Sequence, residues 1–169
     1  MIELKPFRKD DFSTLIKWID KEDDLIQFAG NIFSFPLTDS QLDEYLTDLN
    51  RNAFKVVDKA DNSIIGHSEI YLNENRTAKL CRILIGNPKF RGKGLGQEIV
   101  KELVRISFES YNAKKIELNV YDWNTSAIKC YEKVGFKIMN GITKTTEIEN
   151  KIWTAINMTI TKNDWNLNC

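Results

Sequence analysis

The chain has 169 residues and a mass of 19.6 kDa, the size of one ordinary domain, so the expectation is a single domain over residues 1–169. Hydrophobic residues make up 42% and charged residues 28%, which excludes wholesale disorder; 24 basic residues balance 24 acidic ones, which excludes a binder relying on bulk neutralisation of nucleic-acid phosphates. The three cysteines (Cys81, Cys130, Cys169) lie far apart, excluding a disulfide framework or a CxxC zinc site. The opening MIELKPFRKDDF lacks the apolar stretch of a signal peptide, and no apolar run approaches the roughly 20 residues of a membrane span. A soluble, cytoplasmic domain with no membrane and no nucleic-acid partner is expected.

Ile2-Glu3-Leu4-Lys5 alternates as a short strand that Pro6 ends. Asp10-Asp11 caps a helix with Phe12, Leu15, Ile16 and Ile19 at helical spacing. Residues 25–37 are less regular, with Phe28, Phe33 and Phe35 among the turn residues Gly30, Asn31 and Pro36. Thr38-Asp39-Ser40 then opens a second helix through Leu42, Tyr45, Leu46 and Leu49. Residues 54–57 and 64–72 read as strands joined by a turn over 59–63. A third strand, 77–85, becomes continuously apolar at Ile83-Leu84-Ile85, as a strand covered on both faces does. Residues 92–111 form the strongest helical pattern, 115–120 another strand, and 126–134 a short helix that Gly135 ends with a left-handed cap. Strands at 136–142 and 153–160 finish a mixed α/β order, expected to give one sheet with helices on both faces.

The segment from Ile83 to Gly96 carries the most chemistry. It runs from a buried strand through a turn into a helix start, with Gly92, Gly94 and Gly96 at alternate positions. Glycines there let backbone N–H groups close around an anion, the helix end adds about half a positive charge, and Arg91 and Lys93 add full ones. A phosphate or pyrophosphate is the natural guest. A Walker A loop is excluded because Gly94, not Ser or Thr, follows Lys93. A Rossmann fingerprint is excluded because Gln97 stands where its third glycine belongs. A glycine-rich helix start without a ligand is the plain alternative.

About thirty residues on comes a second segment with Asn124, Ala127, Tyr131, Gly135 and Phe136. Together the two segments resemble the GNAT superfamily of acetyl-CoA-dependent N-acetyltransferases. The loop matches that family's R/Q-x-x-G-x-G/A pattern as Arg91 to Gly96, and the second segment its N-x-x-A-x-x-x-Y-x-x-x-G-F pattern. The IGNP turn and the PLT stretch at Leu37 are most similar to the branch containing ribosomal-protein alanine and spermidine acetyltransferases.

The resemblance implies a largely antiparallel sheet with one splayed parallel strand pair, here residues 82–86 and 116–120. The pantetheine arm of acetyl-CoA would lie in the splay against backbone groups of Leu84, Ile85 and Gly86, one of whose N–H groups would face the thioester oxygen. The amides of Gly92, Lys93, Gly94, Leu95 and Gly96, with Arg91, would hold the pyrophosphate. Tyr131 would donate a proton to the departing sulfur; Ala127 shares its helix face, and Asn124 at the helix start would reach the cofactor. A core aromatic is the other reading of Tyr131.

An amine acceptor must lose a proton, and Glu69, alternating with His67 and Tyr71 on a central strand, is the candidate base. A salt-bridged strand carboxylate is its alternative. Asn119 stands where some relatives carry a glutamate, and an amide cannot serve as base. His67 has no metal-spaced neighbour, so no metal is expected. The acceptor should lie over residues 25–37. Phe28, Phe33 and Phe35 either shape its pocket or pack the core, and Glu22, Asp23 and Asp24 either attract a cation or form a solvated face. Cys81 and Cys130 read as small core residues, and Cys169 as an exposed terminal one. The expected activity is acetyl transfer from acetyl-CoA to an amine, either a protein N-terminus or a small molecule. A non-catalytic CoA-binding sensor is the alternative, and a homodimer is left open.

Overall fold

The computed structural model of the protein describes residues 1–148 and 151–166, so Cys169 lies outside the described residues. Seven strands form one sheet in the order β1-β2-β3-β4-β5-β7-β6: β1 (Ile2–Pro6), β2 (Arg51–Asp58), β3 (Ile64–Leu72), β4 (Thr77–Ile85), β5 (Lys115–Tyr121), β6 (Lys137–Ile148) and β7 (Lys151–Thr161). Every pairing is antiparallel except β4 with β5. The expected mixed sheet with one parallel pair is present.

Helices cover both faces. On one, α4 (Leu95–Glu109) lays Ile99, Val100, Leu103, Val104 and Phe108 against Val56, Ile70, Leu80, Ile116 and Met158, with α5 (Thr125–Val134) beside it. Those five α4 residues recur at three- and four-residue spacing, which puts them on one stripe. On the other face, α1 (Phe12–Trp18), α2 (Glu22–Ala29) and α3 (Asp39–Tyr45) enclose a second core of Phe12, Leu15, Leu25, Phe28, Leu42 and Tyr45. A short α6 (Lys162–Asn166) ends the described chain.

The structure departs from the sequence reading at several element boundaries. Helix α2 occupies part of the segment read as irregular. Helix α3 stops at Tyr45, so Leu49, placed on its apolar stripe, is 97% exposed. Helix α4 starts at Leu95, because Gly92 and Gly94 adopt positive φ (75° and 79°) and form a loop ahead of it. The splay itself is where it was expected: β4 and β5 pair only from Thr77↔Lys115 to Leu80↔Leu118 and separate beyond Leu80, so residues 82–86 have parted from β5. That split positions the site.

Candidate active site

Between Leu80 and Leu84 the edge of β4 facing β3 is irregular. Glu69 pairs with Cys81 and His67 with Leu84, so Ser68 alone stands opposite both Arg82 and Ile83, which is a β-bulge. Arg82 has φ 50°, in the left-handed region. After the bulge, Gly86 N–H donates to Ile65 O at 3.0 Å, which makes Gly66 and Ile85 a non-hydrogen-bonded pair. The Ile85 peptide groups therefore turn away from β3 toward the split, and by alternation so do those of Ile83. Leu84 and Gly86 face β3 instead. Of the three backbone positions assigned to the pantetheine arm, only Ile85 opens to the cleft, and its carbonyl accepts from Arg91 Nε at 3.0 Å. Gly86 has a different reason to be glycine: an added Cβ would lie 1.9 Å from the Trp18 ring.

The loop after β4 passes a 3-10 turn, Pro88–Phe90, into Gly92 and Gly94. An added Cβ at either glycine would meet nothing within 4 Å, so the loop is open on its outer side. Among the described residues, the amides of Gly92, Lys93 and Gly94 donate to no backbone carbonyl, and Leu95 and Gly96 contribute the orphan N–H groups of a helix start. Arg91 and Lys93 are exposed beside them, Lys93 Nζ lying 5.7 Å from the Phe90 ring centre. Open amides, two cations and a helix N-terminus fit the diphosphate of CoA.

Helix α5 brings Tyr131 to the same region. Asn124 caps the helix, its side-chain oxygen accepting from Ala127 N–H at 3.3 Å and from Ser126 Oγ at 3.1 Å. That oxygen is committed to the cap, which leaves the amide nitrogen of Asn124 as the group that could reach a cofactor. Ala127 packs half-buried against the core one turn before Tyr131. The Tyr131 ring meets Phe136 edge-on at 6.1 Å, and its hydroxyl has no hydrogen-bond partner among the described residues. Burial first, then the neighbouring Cys130 and Cys81, push its pKa above the ordinary tyrosine range. At neutral pH it is a phenol holding a proton. Cys81, whose charge would be felt at the hydroxyl, is the first residue of β4 beyond its pairing with β5.

Glu69 is fully buried and saturated with donors. Arg51 Nη1 reaches its two oxygens at 3.0 and 3.1 Å, Arg82 Nε reaches one at 2.6 Å and Arg82 Nη2 the other, and the Tyr45 hydroxyl donates as well. Against the cost of burial, the Arg82 guanidinium, Tyr45 and Arg51 hold its pKa below the usual glutamate value. Arg51 also reaches Asp48 at 3.2 Å and lies 4.2 Å over the Tyr45 ring. His67 is packed edge-on by Phe7 and Phe28, and burial lowers its pKa to about 4. Asn119, on β5, accepts from Asn157 at 3.0 Å. Tyr45, Arg51 and Arg82 were not among the sequence candidates; the one signal for them was an arginine set within an apolar strand, Cys81-Arg82-Ile83.

A model described as the acetyltransferase (GNAT) family matches residues 18–136. The chain belongs to the GNAT acetyltransferase family, and it is an acetyl-CoA-dependent N-acetyltransferase. It is 24% identical over 151 residues to the prophage-derived N-acetyltransferase YokL of Bacillus subtilis (strain 168), covering 88% of this chain and 85% of that one. A 65-residue stretch is 35% identical to the spermine/spermidine N(1)-acetyltransferase of the same organism, covering 38% and 42%. The fold is similar to a spermidine N-acetyltransferase from Vibrio cholerae solved with CoA and spermine: TM-score 0.82, 22% identity, 98% of each chain. That enzyme has also been solved as a dodecamer, with TM-score 0.77 and 22% identity over 97% of this chain and 95% of that one.

Proposed function

We propose that this single domain acetylates a polycationic small amine of the polyamine class, and that Tyr131 is the acid that releases the CoA thiol. The observation that carries the catalytic half is the Tyr131 hydroxyl, without a hydrogen-bond partner among the described residues and near Cys81, where β4 and β5 part and the Ile83 and Ile85 amides face inward. The free amine attacks the thioester carbonyl and the oxyanion takes a hydrogen bond from a β4 amide. The carbonyl re-forms and the C–S bond breaks as Tyr131 passes its proton to sulfur; the nitrogen gives its extra proton to water, and water returns one to the Tyr131 phenolate. The diphosphate rests on the loop from Gly92 to Gly96 with Arg91 and Lys93.

Charge supports the acceptor. Residues 18–50, which carry α2 and α3, contain eight carboxylates and one lysine in a chain of zero net charge. Among the described residues, Glu22, Asp23 and Asp24 enter no ion pair, although they also suit the positive end of α2. The relatives named for spermine and spermidine point the same way. Free thiols at Cys81 and Cys130 fit a reducing cytoplasm. A homo-oligomer fits the exposed Ile138, Met139, Ile142 and Ile152 of the β6–β7 hairpin.

Thiol release from acetyl-CoA, measured with spermidine, a monoamine and a peptide N-terminus, tests this reading. Turnover is expected to be highest with spermidine. Preference for the peptide would overturn the acceptor class, and binding without release for any amine would make the protein a sensor.

A further inference from the structure

We infer that Glu69 is a positioning residue: with His67 it clamps Arg82, and the clamp holds the bulge that opens β4 and turns the Ile83 and Ile85 amides into the split. Arg82 is gripped at both ends by two residues of β3. Its guanidinium is held by Glu69, and its carbonyl accepts from His67 Nδ1 at 3.1 Å. Positive φ is uncommon outside glycine, and Arg82 keeps it at the one place where β4 has an extra residue. The β4–β5 pairing ends two residues earlier, at Leu80. Clamp, bulge and split thus coincide.

The contacts of Glu69 also oppose the role of proton acceptor. Five donor contacts from Tyr45, Arg51 and Arg82 fill the roughly four acceptor sites of a carboxylate. Taking a proton would break part of a buried ion pair. What Glu69 can do from there is hold Arg82, and through Arg82 the backbone that follows.

The kinetic consequence rests on the acetyltransferase reading, but the bulge can be observed without turnover. Glu69→Gln, Arg82→Met and the double variant, which buries no unpaired charge, are compared with the parent chain by amide NMR and by steady-state kinetics. The amide signals of Ile83 and Ile85 should move in each variant while those of Val104 and Leu103 stay. The kcat should fall about tenfold, a partial loss of a well-placed oxyanion donor. KM for the amine should change little. The double variant should lose no more than the worse single one, because both changes release the same clamp. The acid limb of the kcat/KM profile should survive Glu69→Gln. Unmoved Ile83 and Ile85 signals would overturn the clamp, whether or not the enzyme turns over. Additive losses with the acid limb abolished would make Glu69 the base. An unchanged kcat in folded variants would reduce the pair to packing. No turnover in the parent chain, with the amide signals moving as expected, would instead count against the acetyltransferase reading.

Discussion

The His67 ring donates through Nδ1 to the carbonyl of Arg82, 3.1 Å away, and so its Nε2 is a bare, buried nitrogen without a partner among the described residues. That arrangement requires a neutral ring, and burial lowers its pKa to about 4 from 6.5. The unfolded chain protonates near 6.5, so it binds more protons than the folded chain between those values. Stability is therefore full above about pH 6.5 and falls as pH drops toward 4, by about 3 kcal/mol from this group. Denaturant melts at pH 7, 6, 5 and 4 should show the decline, and His67→Gln should flatten it. An equal slope in the variant would assign the acid sensitivity elsewhere.

Gly94 ends the loop at φ 79° with open space where a Cβ would point. A β-branched residue there strains a left-handed backbone by roughly 1–2 kcal/mol and shifts the amides that meet the diphosphate. Gly94→Val should weaken acetyl-CoA binding at least about tenfold by calorimetry while the far-ultraviolet circular dichroism stays that of the parent. Undiminished affinity in a folded variant would remove the loop from the cofactor site.

If the carboxylates of α2 draw in a polycation, Glu22→Gln, Asp23→Asn and Asp24→Asn together should raise KM for spermidine about threefold to tenfold and leave KM for a monoamine near its parent value. The difference should vanish at about 0.5 M salt, because exposed charges are screened there. An equal rise for both amines would point to a change in the pocket rather than to charge.

The layers of this protein were legible because its long elements keep one period. The stripe of α4 has a single solution. Helix α2 was not, since Leu25, Ile26, Phe28 and Ala29 give barely two turns before an aromatic turn follows. The phosphate loop and Tyr131 were legible as residues, yet which backbone amides face the cleft depends on a bulge. A bulge leaves no trace in an apolar run such as Ile83-Leu84-Ile85. Nor does spacing reveal that Tyr45, Arg51 and Arg82, from three different elements, converge on one carboxylate. The sequence left Glu69 open between a base and a salt-bridged carboxylate because its partners lie 13 to 24 residues away.

Tyr131 bears the central claim, and Tyr131→Phe tests it most directly. The change keeps the ring against Phe136 and removes the one proton this residue can offer the sulfur. With an amine for which chemistry limits turnover, kcat and kcat/KM should fall together by about 10²-fold, at the low end of acid–base assistance because a CoA thiolate leaves readily. Acetyl-CoA affinity, measured by calorimetry on the same preparation, should stay within about twofold of the parent, because the lost interaction belongs to the transition state. Equal kcat in the two proteins would contradict the account and return Tyr131 to the core.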